Sequence, residues 1–133
     1  MLTICDTNIL LFWADRRDRL TIAARHALDS GRANGKLACV DVSFWEIALL
    51  FRKHRLVLPE QHTPASYMED IVESLGLNIL PLTSAIAELA ESGIIAHGDP
   101  ADRLIAATAL AHRAPLITAD GKLRTTPGLR CIW

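Results

Sequence analysis

Asp6, Glu46, Asp102 and Asp120 stand in four short contexts that could each offer a carboxylate to a cation: I-C-D-T-N, S-F-W-E-I, G-D-P-A-D-R and I-T-A-D-G-K. Asp6 and Asp120 come just after short apolar runs that read as buried strands, whereas Glu46 and Asp102 fall in the first turns of expected helices. In an open parallel α/β sheet, strand ends and the helix starts that follow them share one edge, and ligands bind there. Carboxylates gathered at that edge repel one another unless a cation sits among them, and hard oxygen donors suit Mg²⁺ or Mn²⁺. Such a set could cleave a phosphodiester with metal assistance.

Each acid also has a purely structural explanation. Ser43-Phe44-Trp45-Glu46 matches a capping box, in which the glutamate returns a hydrogen bond to the cap. Asp99-Pro100-Ala101-Asp102 is a good helix start, with a cap aspartate, a first-turn proline and an acid facing the positive end of the dipole. Asp120-Gly121 is a turn signal, and Asp6-Thr7-Asn8 could cap a short helix beginning near Asn8. What favours a common site is the conjunction: four separate elements bring an acid to one edge in a chain with fifteen acids.

The elements that must position these acids alternate. Strand-like runs are Leu2–Cys5, Leu37–Val40, Leu77–Leu80, Leu116–Thr118 and Arg130–Ile132, mostly short and continuous, as in strands covered on both faces. Helices are expected over Ile22–Ala33 and Ser43–His54, from Thr63-Pro64, over Thr83–Ser92 ahead of Gly93, and from Asp99-Pro100 to about Arg113. Alternation of this kind gives a parallel α/β sheet. With 133 residues and no linker or repeat, the chain is expected to form a single domain over 1–133.

Half the residues are hydrophobic and 22% are charged, which excludes a disordered segment. No apolar run near the N-terminus is long enough to span a bilayer, and Asp6 interrupts what would be a signal-peptide core, so neither membrane insertion nor secretion is expected. Cys5, Cys39 and Cys131, odd in number and widely spaced, fit buried hydrophobes in a reducing cytoplasm rather than disulfides or a zinc site. The net charge of −1 does not by itself suggest a nucleic-acid partner. With several carboxylates committed to metal, however, the remaining surface is basic. Arg16, Arg17 and Arg19 form one cluster, and Arg52, Lys53, His54 and Arg55 another, which could serve a helix C-terminus, phosphate contact, or both.

In this order and in a chain of this size, D-T-N, W-E-I, H-G-D-P-A-D-R-L-I-A-A-T-A and L-I-T-A-D resemble a PIN-domain ribonuclease, and more closely the VapC toxins of bacterial toxin–antitoxin pairs. The resemblance covers nearly the whole chain. It implies a three-layer α/β/α fold with a short, mainly parallel central sheet, and a Mg²⁺- or Mn²⁺-dependent endoribonuclease acting on RNA. It also implies a cytoplasmic homodimer held inactive by a cognate antitoxin protein that reaches into the active-site groove. Carried onto this sequence, the acidic set is Asp6, Glu46, Asp102 and Asp120, with Asp99 as a possible fifth member. Asn8 and Thr118 would be amide and hydroxyl neighbours, and Arg103 would hold a phosphate or pair with an acid.

His97 lies close to Asp99, but a histidine leading into a helix reads as a surface or supporting group rather than a catalytic base. Phe12, Trp13, Phe44 and Trp45 could stack on bases, although their spacing favours core or dimer contact. Two rivals remain. One is a PIN fold that has lost activity and serves only as a binding module. The other is a Mg²⁺-dependent phosphatase working through an aspartyl-phosphate, for which the D-x-D third position is Asn8 instead and the supporting lysine is missing.

Overall fold

The computed structural model describes residues 1–133, with no helix long and apolar enough to cross a membrane. Five strands, β1 (Thr3–Cys5), β2 (Leu37–Val40), β3 (Asn78–Leu80), β4 (Leu116–Ile117) and β5 (Cys131–Ile132), form one parallel sheet in the order β3-β2-β1-β4-β5. Seven helices connect them: α1 (Thr7–Asp15), α2 (Ile22–Ala33), α3 (Val42–Arg52), α4 (Pro64–Leu75), α5 (Ser84–Ala90), α6 (Pro100–His112) and α7 (Gly121–Arg124).

Residues alternate across the sheet, as the two-residue period of a strand requires. Ile4, Ala38, Val40 and Leu116 join one core with Ile86, Ala90, Ile105 and Ala109 from α5 and α6. Cys5, Leu37, Cys39 and Ile117 join the opposite core with Ile9, Leu28, Ile47 and Ile71 from α1 to α4. Helices therefore cover both faces, which gives the expected three layers and explains why the strands read as unbroken apolar runs. The thiols of Cys5 and Cys39 are buried, in keeping with their expected role as small hydrophobes.

The chain builds outward from β1 to β2 and β3, then crosses to the other side of β1 for β4 and β5. A switch in direction between β1 and β4 leaves a crevice at their C-terminal ends. Register puts specific residues there: Cys5 pairs with Cys39 and Ile117, so Asp6, Val40 and Thr118 are the next positions along neighbouring strands.

Local expectations differ from the structure at several places. The Ser43–Glu46 capping box does not form: α3 starts at Val42, Asp41 precedes it without a side-chain cap, and Glu46 lies in the second turn, not the first. The fourth expected helix stops at Ala90 rather than Ser92. Asp120-Gly121 opens a short helix rather than a plain turn, whereas Asp6 caps a helix much as its D-T-N context allows, α1 starting at Thr7. By contrast Thr63 forms a capping box with Ser66, and Gly76 ends α4 at a φ of 62°, where a side chain would be strained.

Ile105, fully buried, pins α6 to the sheet. Ile105→Ala is expected to lower unfolding free energy by roughly 2–5 kcal/mol, read from the denaturant midpoint at unchanged slope.

Candidate metal centre

Asp6 is the first residue beyond β1, and its backbone N–H still extends the ladder by donating to the Ile117 carbonyl at 3.0 Å. Its extended backbone caps α1. Oδ1 accepts from the Thr7 N–H at 2.8 Å and Oδ2 from the Thr118 hydroxyl at 2.7 Å. Burial raises the Asp6 pKa; the bonds from Thr118 and Thr7 oppose that rise, and the nearby charge of Asp120 adds to it. Thr118 also accepts from the Asp120 N–H at 3.0 Å, so one buried hydroxyl ties the two aspartates together.

Asp120 caps α7, its Oδ1 accepting from the N–H groups of Lys122 at 2.8 Å and Leu123 at 3.3 Å. Partial burial pushes its pKa up, but the hydrogen bond from His97 and those from the two N–H groups win and hold it below the usual carboxylate value.

Glu46 reaches the same edge by a different route. The Thr7 hydroxyl donates to Glu46 Oε1, and the Ser43 hydroxyl lies 2.8 Å from Thr7 Oγ1. A threonine has one O–H to give, so with that proton on Glu46 it is Ser43 that donates to Thr7. The serine thus orients a site residue across the α1–α3 contact. Burial raises the Glu46 pKa, Thr7 opposes, and the charges of Asp6 and Asp99 add.

Asp99 caps α6 through one oxygen, which accepts from Ala101 N–H at 2.8 Å and more weakly from Asp102 N–H at 3.4 Å. Asp102, one turn in, has its pKa pushed up to about 7, by burial first and then by the charges of Asp6, Asp99 and Glu46. Ligand oxygens of Glu46, Asp99 and Asp102 all lie within 4.8 Å of one another, as do Asp102, Asp120 and the ring nitrogen of His97. Asp102 is common to both groups.

His97 takes the supporting rather than the surface position of the two expected for it. Its side chain is only 9% exposed, with Nε2 2.9 Å from Asp120 Oδ2 and 3.3 Å from Asp102 Oδ2. Two other residues were missed outright: Thr7, which bonds Glu46, and Ser43. Thr7 lies inside the D-T-N motif, so an acid-oriented threonine was a possible inference; nothing local marks Ser43. Asn8, expected beside the acids, is exposed and makes no hydrogen bond with them. Arg103 donates to the His97 carbonyl at 2.7 Å and to Glu91 at 3.0 Å, which fixes the loop ahead of α6.

No lysine or arginine forms an ion pair with Asp6, Glu46, Asp99, Asp102 or Asp120. A set of carboxylates with no lysine or arginine paired among them, three of which (Asp6, Glu46 and Asp102) have raised pKa values, fits a divalent cation. The largest concavity, about 410 Å³ between α3 and α4, lies elsewhere and is lined by Phe44, Ala65, Met68 and Val72 with Glu69 and Glu73. The acids are a shallow charged edge, which shape alone would not reveal.

The PIN domain family model matches residues 3–129. The protein named Ribonuclease VapC22, from Mycobacterium tuberculosis, is 32% identical over 124 residues, covering 92% of this chain and 89% of its own length. Among solved structures, DNA-bound VapBC from Salmonella typhimurium superposes with a TM-score of 0.72 at 18% identity, covering 98% of this chain and 97% of that one. VapBC2 from Rickettsia felis, bound to a promoter DNA fragment, gives 0.69 at 20% identity, with coverages of 98% and 97%. At those identities the structural likeness shows the fold.

Crowding of acids has a consequence for stability. Because the Asp102 pKa is raised on folding, the folded chain keeps a proton that the unfolded chain has released, and stability falls as pH rises toward about 7. Raised values at Asp6 and Glu46 act in the same direction. In chelator, wild-type Tm is expected to decline between about pH 4 and about pH 7, while Asp102→Asn declines less and melts roughly 3–6 °C higher at the alkaline end. A flat wild-type profile would show that the acids are not crowded.

Proposed function

Because this chain belongs to the PIN-domain family, we propose that it is a toxin-type endoribonuclease that hydrolyses RNA phosphodiesters at the acidic edge, with Mg²⁺ or Mn²⁺ as cofactor. The observation that carries this reading is the set of five carboxylates from four places in the chain, with no lysine or arginine paired among them, at the switch point of the sheet. Glu46, Asp99 and Asp102 would hold the cation, and Asp6 and Asp120 would complete the negative potential around it. When bound, the cation supplies charge neutralisation at the scissile phosphate and acidification of a water.

The chain's own groups do the positioning. Thr118 fixes Asp6, and Ser43 through Thr7 fixes Glu46, so the carboxylates keep their orientation without side-chain rearrangement. Glu46 Oε2, the oxygen not bonded to Thr7, can accept a proton from the attacking water. The thiols take no part: burial and the Asp41 charge push Cys39 up to about 12, and Cys5 is raised by burial as well. Exposed Arg52, Lys53 and Arg55 at the end of α3 would meet RNA phosphates.

The solved structures with this fold are named as VapBC assemblies, and we infer a cognate antitoxin for this chain too. The apolar concavity between α3 and α4 and the exposed Trp45 are surfaces that an antitoxin or a second copy in a homodimer would cover. A cytoplasmic location follows from an RNA substrate and reduced, buried thiols.

Purified protein is expected to cleave RNA with Mg²⁺ or Mn²⁺ and to stop in excess chelator. Thr118→Val should lose roughly 10–100-fold in activity, and Asp6→Asn more. Cleavage in chelator would exclude the metal mechanism, and full activity in Asp6→Asn would put the site elsewhere. A folded protein that binds metal but cuts no RNA would favour the binding-module alternative.

A further inference from the structure

Resting on the metal-nuclease reading above, we propose that His97 is a positioning residue whose Nε2–H takes the place of a second cation between Asp102 and Asp120, leaving a one-cation centre on the Glu46–Asp99–Asp102 side. Asp102 belongs to two potential ligand groups, one with Glu46 and Asp99 and one with His97 and Asp120. Taken alone, that sharing would favour a two-cation centre bridged by Asp102. The surroundings of His97 decide otherwise.

A histidine that ligates a metal through one ring nitrogen donates the other N–H to an acceptor. At His97 the polarity is reversed. The backbone N–H of Asp99 donates to Nδ1 at 3.0 Å, so Nδ1 carries the lone pair and the neutral ring carries its proton on Nε2. That N–H is directed at Asp120 Oδ2, 2.9 Å away, and Asp102 Oδ2 lies 3.3 Å from the same nitrogen, near enough to feel its positive end. Coordination through Nε2 would require the opposite tautomer and would set two N–H groups, from Nδ1 and Asp99, against each other. The ring cannot swing aside easily, since Arg103 holds the His97 carbonyl at 2.7 Å and the side chain is largely buried. His97 therefore bonds Asp120 and sets its N–H dipole beside Asp102, whereas Glu46 and Asp99 are bonded only by the Thr7 hydroxyl and by backbone N–H groups, and no side-chain N–H stands between them and Asp102.

Mn²⁺ titrations of the intact protein, followed by electron paramagnetic resonance, test this. Wild type is expected to bind one Mn²⁺ per chain, lost in Asp102→Asn, with no imidazole nitrogen hyperfine coupling. His97→Ala is expected to take up a second ion and show a spin-coupled pair, whereas His97→Gln, which keeps an N–H donor, stays at one. Circular dichroism checks folding, and the wild-type count and hyperfine measurement need no variant. Two Asp102-dependent ions in wild type, imidazole coupling to the bound ion, or a single ion in folded His97→Ala would each overturn the role of His97 while leaving the nuclease reading intact. Absence of any Asp102-dependent Mn²⁺ would overturn both.

Discussion

Like charges at close range are what the structure must accommodate. Five carboxylates, from Asp6, Glu46, Asp99, Asp102 and Asp120, meet at one edge of the sheet with no lysine or arginine among them. Helix starts and hydroxyl donors make most of them tolerable. Asp6 and Asp99 sit at the starts of α1 and α6, where unpaired backbone N–H groups and the helix dipole favour negative charge. Asp120 is ringed by two N–H groups and a histidine, and Glu46 takes a threonine hydroxyl. Asp102 has the least local support, and it is the one whose pKa approaches neutrality. Burial first, and then repulsion from Asp6, Asp99 and Glu46, disfavour the charged form of Asp102, and a divalent cation would offset both.

Everything else in the fold holds that edge still. Strands of two to four residues suffice because their task is to bring Asp6 and Thr118 side by side, one residue beyond Cys5 and Ile117. Two dry cores, one on each face of the sheet, fix the helices whose first or second turns supply the remaining acids. The alanines of α6, including Ala106, Ala107 and Ala109, let that helix lie close against its neighbours. A site that must keep several oxygens in fixed relation gains from being mounted on packed strand and helix ends rather than on long loops.

Much of this was legible in the sequence, for identifiable reasons. Strand positions follow from short apolar runs, and α6 from a cap aspartate with proline behind it, so Asp6, Asp102 and Asp120 could be placed at one edge from local pattern. Glu46 was placed at the right edge for an incomplete reason: the motif around it looks like a capping box, but its serine bonds Thr7, 36 residues away. The sequence does not choose between a surface and a supporting His97, because its partner Asp120 lies 23 residues on, across a strand, and no period in the chain encodes that meeting. Local pattern predicts where a backbone goes; it says little about which polar side chains satisfy one another across elements.

The central claim, that the acids crowd to receive a cation, is tested most directly by the rise in Tm that saturating Mn²⁺ gives over chelator, compared between wild type and Asp102→Asn. A ligand that binds only the folded state stabilises it by about 2.7 kcal/mol at a hundred times its Kd. Wild type should therefore gain clearly, whereas Asp102→Asn should start higher in chelator, relieved of one charge, and gain much less. If the variant instead melts lower than wild type in chelator and keeps the full Mn²⁺ shift, Asp102 serves only to start α6, and the acidic edge is not the metal centre described.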